Sequence, residues 1–306
     1  MSRTTRRDFL ASSAALATAT SLGGFTASQV RAAEPAVERA PKDPIHVVLL
    51  ADKKDHGPSG NGLHDYPLWQ RRWGLSLGAE EASNPPQDNL AAPPPEAAGK
   101  RHEVPGVTVA KAWHWPSADQ FQAADVIVAY CYLNWNEDRL AQVRQYLERG
   151  GGLVLIHSAT WTKPKPSRDV AELVGIGGFP LYRHGRVQLH VTKPEHPICS
   201  GLPKTIVLEN DETYWPPAPM LDGVTVLATS VEKQGIGDSA TLSPQPMFWC
   251  FTLGRGRVFG CVPGHCVKTF DDPLFRTLLL RATAWAAGES PQFLDALAKS
   301  EVRVVD

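Results

Sequence analysis

Residues 126–156 leave this chain few folds to choose from. Val126-Ile127-Val128-Ala129-Tyr130 is a β-branched run, and within residues 136–149 Leu140, Val143 and Leu147 recur at i, i+3 and i+7. Gly150-Gly151-Gly152 then stops the pattern, and Leu153-Val154-Leu155-Ile156 follows at once. This spacing predicts strand, helix, strand. The helix has one apolar face, Asn134 or Asn136 as its N-cap, and a glycine end that tolerates the left-handed conformation. Apolar runs without polar alternation suit strands covered on both faces, and a crossover of this kind is nearly always right-handed. Ile45-His46-Val47-Val48-Leu49-Leu50 reads as another such strand and residues 107–112 as a further short one, so the first half is α/β.

Beyond Gly185 the texture changes. Residues 186–191, 205–208, 224–230, 247–253 and 257–262 read as strands separated by Gly/Pro turns, with Gly254-Arg255 suggesting a hairpin. Pro273 opens a helix with Phe275, Leu278, Leu279, Ala282 and Trp285 on one face, closed by Gly288. Residues 289–306 are expected to be a short, loosely attached tail. Residues 78–104 hold Pro85, Pro86, Pro93, Pro94 and Pro95 among Ala, Asn and Glu, which predicts a mobile surface insertion. No internal repeat or break in composition demands a second domain.

The N-terminus reads as an address. Thr5-Arg6-Arg7-Asp8-Phe9-Leu10 precedes a mildly apolar Ala/Thr/Ser run, and Val30-Arg31-Ala32 is a small-x-small site placing cleavage near Ala32/Ala33. The run is too short and weakly apolar to span a bilayer, which needs about 20 residues. The adjacent arginines resemble a twin-arginine (Tat) export signal, so residues 1–32 are expected to be removed by way of the Tat machinery. Residues 33–44 then form a linker, and the mature protein is expected to be periplasmic, without stable membrane insertion.

Lys+Arg 31 against Asp+Glu 32 leaves a formal charge of -1, and removing the leader makes the remainder mildly acidic. No basic footprint for nucleic acid is present. Five cysteines without a C-x-x-C pair give neither a disulfide scaffold nor a thiolate zinc site. Cys131 has no activating neighbour in sequence, and Cys250 and Cys261 sit diagonally across the expected hairpin at roughly 7–8 Å, too far for an unstrained disulfide.

Chemistry is expected in loops at the carboxyl ends of the strands. After the first strand come Asp52, Asp55, His56, His64, Asp65 and Tyr66 among glycines that let backbone approach a ligand. Asp65 is equally suited to capping the helix that begins Tyr66-Pro67. Leu153-Val154-Leu155-Ile156 runs straight into His157-Ser158. Ser158 is a weak nucleophile, lacking the G-x-S-x-G setting. His184, the pair Asp211-Glu212 with Tyr214, and His265 each follow further strands or turns. Adjacent Asp211 and Glu212 cannot both face one site from an extended segment. His46 and His190 lie within strands and read as core or edge residues.

In order along the chain, several blocks carry a resemblance: H-G…H-D-Y-P-L-W-Q at 56–70, G-G-G-L-V-L-I-H-S-A-T at 150–160, the His184 region, and H-P-I-C-S-G-L-P at 196–203. N-D-E-T-Y-W at 210–215, P-M-F-W-C-F-T-L-G-R-G-R-V-F-G-C-V-P-G-H at 246–265 and D-P-L-F-R-T-L-L-L-R-A-T-A-W-A-A-G at 272–288 complete it. Together, over residues 45–288, they resemble the ThuA-like (trehalose utilisation) family. The resemblance implies a flavodoxin-like, class I glutamine amidotransferase-like α/β fold: a mainly parallel sheet, helices on both faces and extra C-terminal strands. Where those amidotransferases carry a cysteine this chain has His157, which excludes a thioester route. The resemblance further implies saccharide metabolism, with links to trehalose and 3-keto sugars.

These readings combine into an enzyme acting by acid/base chemistry on a glycoside or 3-keto-glycoside, with His157, Glu212 and His265 as the catalytic set. His56, His64, Asp65, Tyr66, Trp161, His184, Asp211 and Tyr214 are the substrate-binding candidates, and Trp69 joins Trp161 and Tyr214 as a possible stacking surface. A divalent metal such as zinc is an open alternative, with His56, His64, His157, His184 and His265 as candidate ligands. A metal-dependent hydrolase of a non-sugar substrate and a non-catalytic carbohydrate-binding protein stand as rival readings.

Overall fold

A computed structural model describes residues 44–58, 60–78, 106–235 and 240–298. The expected signal peptide, linker and Pro-rich insertion lie outside these residues, apart from Pro44 and Gly78. Among the described residues no helix is long and apolar enough to cross a membrane.

The apolar runs become strands and the caps hold. β1 (Ile45–Ala51) buries every side chain except that of His46. α1 (Tyr66–Ser76) follows it, capped by Asp65, which accepts from the Leu68 amide. β2 (Val107–Trp113), α2 (Ala118–Ala123) and β3 (Val126–Ala129) lead to α3 (Glu137–Glu148), where the Asn136 side chain accepts from the Arg139 amide. Val143, Tyr146 and Leu147 are the buried face of α3. β4 (Gly152–Ile156) is buried throughout, and α4 (Arg168–Val174) completes the first half. Successive β4 residues point to opposite sides, as a pleat requires. A Cβ on Gly152 would strike the backbone of Ala286, whereas Leu153 packs with Val143 and Tyr146 of α3. Helices therefore cover both faces here.

The second half adds β5 (Leu181–Val191), β6 (Thr205–Trp215), β7 (Thr225–Gln234), β8 (Thr241–Leu253) and β9 (Gly256–Cys261). α5 (Pro273–Ala286) starts at Asp272, which accepts from the amides of Leu274 and Phe275, and buries Phe275, Leu278, Leu279 and Ala282. The cysteines are free buried thiols, and Phe248 opposite Cys261 with Cys250 opposite Phe259 confirms the diagonal placement.

Two expectations need correction. The sheet is mixed, not mainly parallel: nine strands run in the order β2-β1-β3-β4-β9-β8-β7-β5-β6. Pairings are parallel from β2 to β9 and antiparallel from β9 to β6. The reason is that β9 inserts parallel beside β4 while bringing its hairpin partner β8 with it, so the C-terminal strands extend the same sheet. Nor do residues 291–298 hang loose. Leu294 is buried, α6 (Asp295–Ala298) follows it, and Arg281 holds Asp295 through two bonds of 2.8 Å.

One irregularity positions the site. β5 pairs with β7 only at His190 and Val191, so the Leu181 end of β5 and the Trp215 end of β6 run on as a two-stranded arm. The register between them shifts between Gly185 and Val187, a bulge of the kind that bends a ribbon and re-aims its side chains.

Candidate functional site

The ends of β1, β4 and β9 lie along one edge of the sheet, and the loops leaving them are tied together by backbone. The His64 amide donates to the His265 carbonyl at 3.0 Å, and Leu63 forms an antiparallel bridge with Cys266. His157 opens a tight turn at the end of β4, and the Gly264 that precedes His265 packs on it. A Cβ there would lie 3.2 Å from that of His157 and 3.1 Å from Ile156, at a φ of +131°. His64 and His157 are themselves in the left-handed region, at φ +44° and +50°. Strain of this kind in non-glycine residues tends to gather at functional sites.

Glu212 arrives from the arm. It sits opposite His184, and Tyr214 opposite Tyr182, so all four side chains share one face of the β5–β6 ribbon. Asp211 points to the other face. Its carboxylate accepts from the amides of Gly264 (2.9 Å) and His265 (3.0 Å) and from the Thr269 hydroxyl, which docks the arm onto the β9 loop.

Around Glu212 the imidazoles converge. Its Oε2 is 2.9 Å from His265 Nδ1 and 3.2 Å from His157 Nε2, and its Oε1 is 3.3 Å from His184 Nε2. His157 Nδ1 donates to the Val262 carbonyl at 2.7 Å. Its Nε2 lies 2.8 Å from the Tyr214 hydroxyl and 3.0 Å from His64 Nε2. His64 Nδ1 lies 2.9 Å from Asp55 and 3.0 Å from the Tyr66 hydroxyl, which donates to Ser158 at 2.7 Å. Ser158 is thus a buried acceptor beneath the site. One donor atom from each of His64, His157, Glu212 and His265 lies within 4.8 Å of the others, all four residues are buried, and this group could hold a metal ion.

Burial lowers His64 to about 4, despite the opposing pull of Asp55, with His157 and His265 adding to the fall. Burial alone would raise Glu212, but the nearby imidazoles of His157 and His265 outweigh it and hold the carboxyl below its usual range. Asp55 behaves likewise, burial being overcome by His64, Tyr66 and Lys163. Burial pushes Tyr66 and Tyr214 well above ordinary phenols, with the nearby Asp55 and Glu212 adding to it, so both keep their hydrogens.

Above this floor opens a cleft of about 570 Å³, lined by His56, His64, Tyr132, Trp161, Tyr182, His184, Glu212, Tyr214 and His265. Trp161 meets Tyr214 edge-on at 4.8 Å and Tyr182 at 6.0 Å, while the Lys163 ammonium stands 3.4 Å over the Tyr132 ring.

The sequence candidates therefore separate. His56, His64, Trp161, His184, Glu212, Tyr214 and His265 line the cleft, and His157 lies directly beneath it. Tyr66 is buried behind His64. Asp65 caps α1 and Asp211 is spent on backbone amides, so neither lines the cleft; both carboxylates are claimed by local donors. Trp69 is wholly buried against Trp73 and Tyr130 and offers no stacking surface. Of the five metal candidates, His64, His157 and His265 converge, whereas His56 and His184 stay on the open side. Tyr132 and the role of Asp55 escaped sequence reading. The usable signal was that Tyr132 lies three residues past β3, on the same strand-end edge.

The family model ThuA, described as trehalose utilisation, matches residues 87–286. Among solved structures, the chain is similar to a ThuA-like protein from Bacteroides uniformis, with 18% identity and a TM-score of 0.58, covering 84% of this chain and 98% of that one. It is also similar to a ThuA-like protein from Parabacteroides merdae, with 18% identity and a TM-score of 0.52, covering 81% and 92%. No curated protein matches it.

Proposed function

The chain belongs to the ThuA family, and from that premise we propose that it is an enzyme of carbohydrate metabolism that processes a glycoside, in particular its 3-keto form, in the cleft above Glu212. The observation that carries the reading is the burial of a carboxylate and three imidazoles, those of His64, His157 and His265, at the floor of an aromatic-walled cleft. A ketone at C3 acidifies the neighbouring C–H bonds. Elimination, isomerisation or hydrolysis of such a sugar then needs an electrophile for the carbonyl oxygen and a group that moves the adjacent proton. The floor concentrates groups suited to both tasks. Trp161, Tyr132 and Tyr182 present ring faces and edges of the kind that receive the apolar side of a pyranose. The twin-arginine stretch of the leader supports export by the Tat system and a periplasmic site of action.

The test is turnover of 3-keto-trehalose or a 3-keto-glucoside against the parent sugars, followed chromatographically. The keto form is expected to be consumed and the parent left. Glu212→Gln is expected to lower kcat about 10²–10⁴-fold. A chain that binds these sugars but converts none of them is a carbohydrate-binding protein, and the enzymatic reading falls.

A further inference from the structure

We infer that His64, His157, His265 and Glu212 form the binding site of one divalent transition-metal ion. The ion's role rests on the reaction proposed above, but its presence rests on the following geometry alone.

The proton positions on two of the rings are set by their outer partners. His157 Nδ1 faces the Val262 carbonyl at 2.7 Å, and a carbonyl only accepts, so the hydrogen is on Nδ1 and Nε2 presents its lone pair. His64 Nδ1 faces the Asp55 carboxylate at 2.9 Å, which places its hydrogen on Nδ1 for the same reason. The two bare Nε2 atoms then stand 3.0 Å apart with no hydrogen between them. Tyr214 has a single hydroxyl hydrogen, which serves either His157 Nε2 at 2.8 Å or Glu212 Oε2 at 3.4 Å and not both.

Glu212 Oε2 is a further acceptor, 3.2 Å from His157 Nε2. His265 Nδ1 is buried and makes no hydrogen bond, although it lies 2.9 Å from that oxygen. The two atoms thus lie close together without the alignment a hydrogen bond needs. Buried lone pairs packed against lone pairs repel, and an orphaned buried polar atom costs free energy. A dication among them relieves both penalties at once.

The donor set also selects the ion. Three imidazoles and one carboxylate, without thiolate, suit zinc and its first-row neighbours, while calcium and magnesium prefer oxygen alone. His64–Asp55 and His157–carbonyl pairs are the outer contacts that orient metal-binding histidines and raise their basicity. His56 and His184 fall outside the set: His184 is half exposed and meets the other oxygen of Glu212, and the His56 ring lies against those of His64 and His265 with centroids 5.1 and 5.2 Å away. Bound here, the ion supplies the electrophile for a sugar carbonyl entering from the cleft.

The experiment is a zinc titration of the full chain after chelator stripping, read by elemental analysis and by thermal melting, with no substrate present. Wild type is expected to take up about one zinc per chain and to melt higher with it. Glu212→Gln, which preserves shape, is expected to lose stoichiometric binding. Asp55→Asn, outside the ligand set, is expected to weaken zinc binding about 10–100-fold. His184→Ala and His56→Ala are expected to bind as wild type does. Absence of uptake and of any melting shift in the folded wild type overturns the site, and so does loss of binding in His184→Ala. Zinc uptake without turnover of keto-glycoside upholds the site and overturns the proposed reaction. Turnover by a chain that takes up no metal does the reverse.

Discussion

The parallel strands β1, β3, β4 and β9 and the antiparallel arm of β5 and β6 serve the same cleft by different means. The parallel strands end in register, so His64, His157 and His265 leave a common edge. Their positions are fixed by short backbone ties such as the His64 amide to the His265 carbonyl. The arm has no such frame. Glu212, Tyr214, Tyr182 and His184 reach the site because a bulge bends the ribbon and because one buried side chain, Asp211, docks it. Imidazoles that must meet are carried on rigid strand ends, whereas the carboxylate and much of the aromatic wall are carried on a ribbon held by side chains: Asp211, the Arg183–Glu232 ion pair to β7 at 2.6 and 2.8 Å, and Trp215 Nε1 donating to the Lys233 carbonyl at 2.8 Å. The cleft can thus be taken apart from one side.

Cutting that contact should have the largest effect. Asp211→Ala orphans the amides of Gly264 and His265 and the Thr269 hydroxyl. It is expected to cost about 2–5 kcal/mol in denaturant unfolding and to abolish turnover even where the protein folds. A variant with wild-type stability and activity would show that strand pairing and the contacts to β7 hold the arm without Asp211.

Acid should separate the two regions next. In metal-stripped protein, His64 is kept neutral down to about 4, while an unfolded histidine takes a proton near its ordinary 6.5. The unfolded chain binds the extra proton between these values, so stability is full above about pH 6.5 and declines as pH falls toward about 4. Glu212 and Asp55 lie below their ordinary range, so their contributions hold above the usual carboxylate pKa and are lost only at lower pH. Denaturant midpoints against pH should show the first decline in wild type and not in His64→Gln; equal curves would refute the assignment.

On the parallel side, Gly264→Ala forces a side chain into a left-handed backbone against His157 and Ile156. A loss of about 1–3 kcal/mol is expected, read from the melting curve. Trp161→Ala, on the open wall, should leave stability nearly unchanged and raise KM for a saccharide roughly 3–10-fold with little change in kcat. A fall in kcat without a change in KM would place Trp161 in the chemistry instead of in binding.

What could be read from the linear chain is what short-range physics controls. Leu140, Val143 and Leu147 mark one face of α3 because helical periodicity is local, and Asn136 caps it because a cap reaches only two or three residues. The glycines after α3 and the uninterrupted β4 follow the same rule. Even the constraint that Asp211 and Glu212 face opposite ways came from the two-residue period of an extended segment. Which of the two faces the cleft did not, because that depends on amides 53 and 54 residues away. The meeting of His64 with His157 across 93 positions, the demotion of Asp65 to a cap, the burial of Trp69 and the single mixed sheet were likewise decided only in three dimensions. Their reason is common to all: each depends on the packing of elements distant in sequence, and no local preference specifies which distant partner will claim a hydrogen bond, a lone pair or a sheet edge.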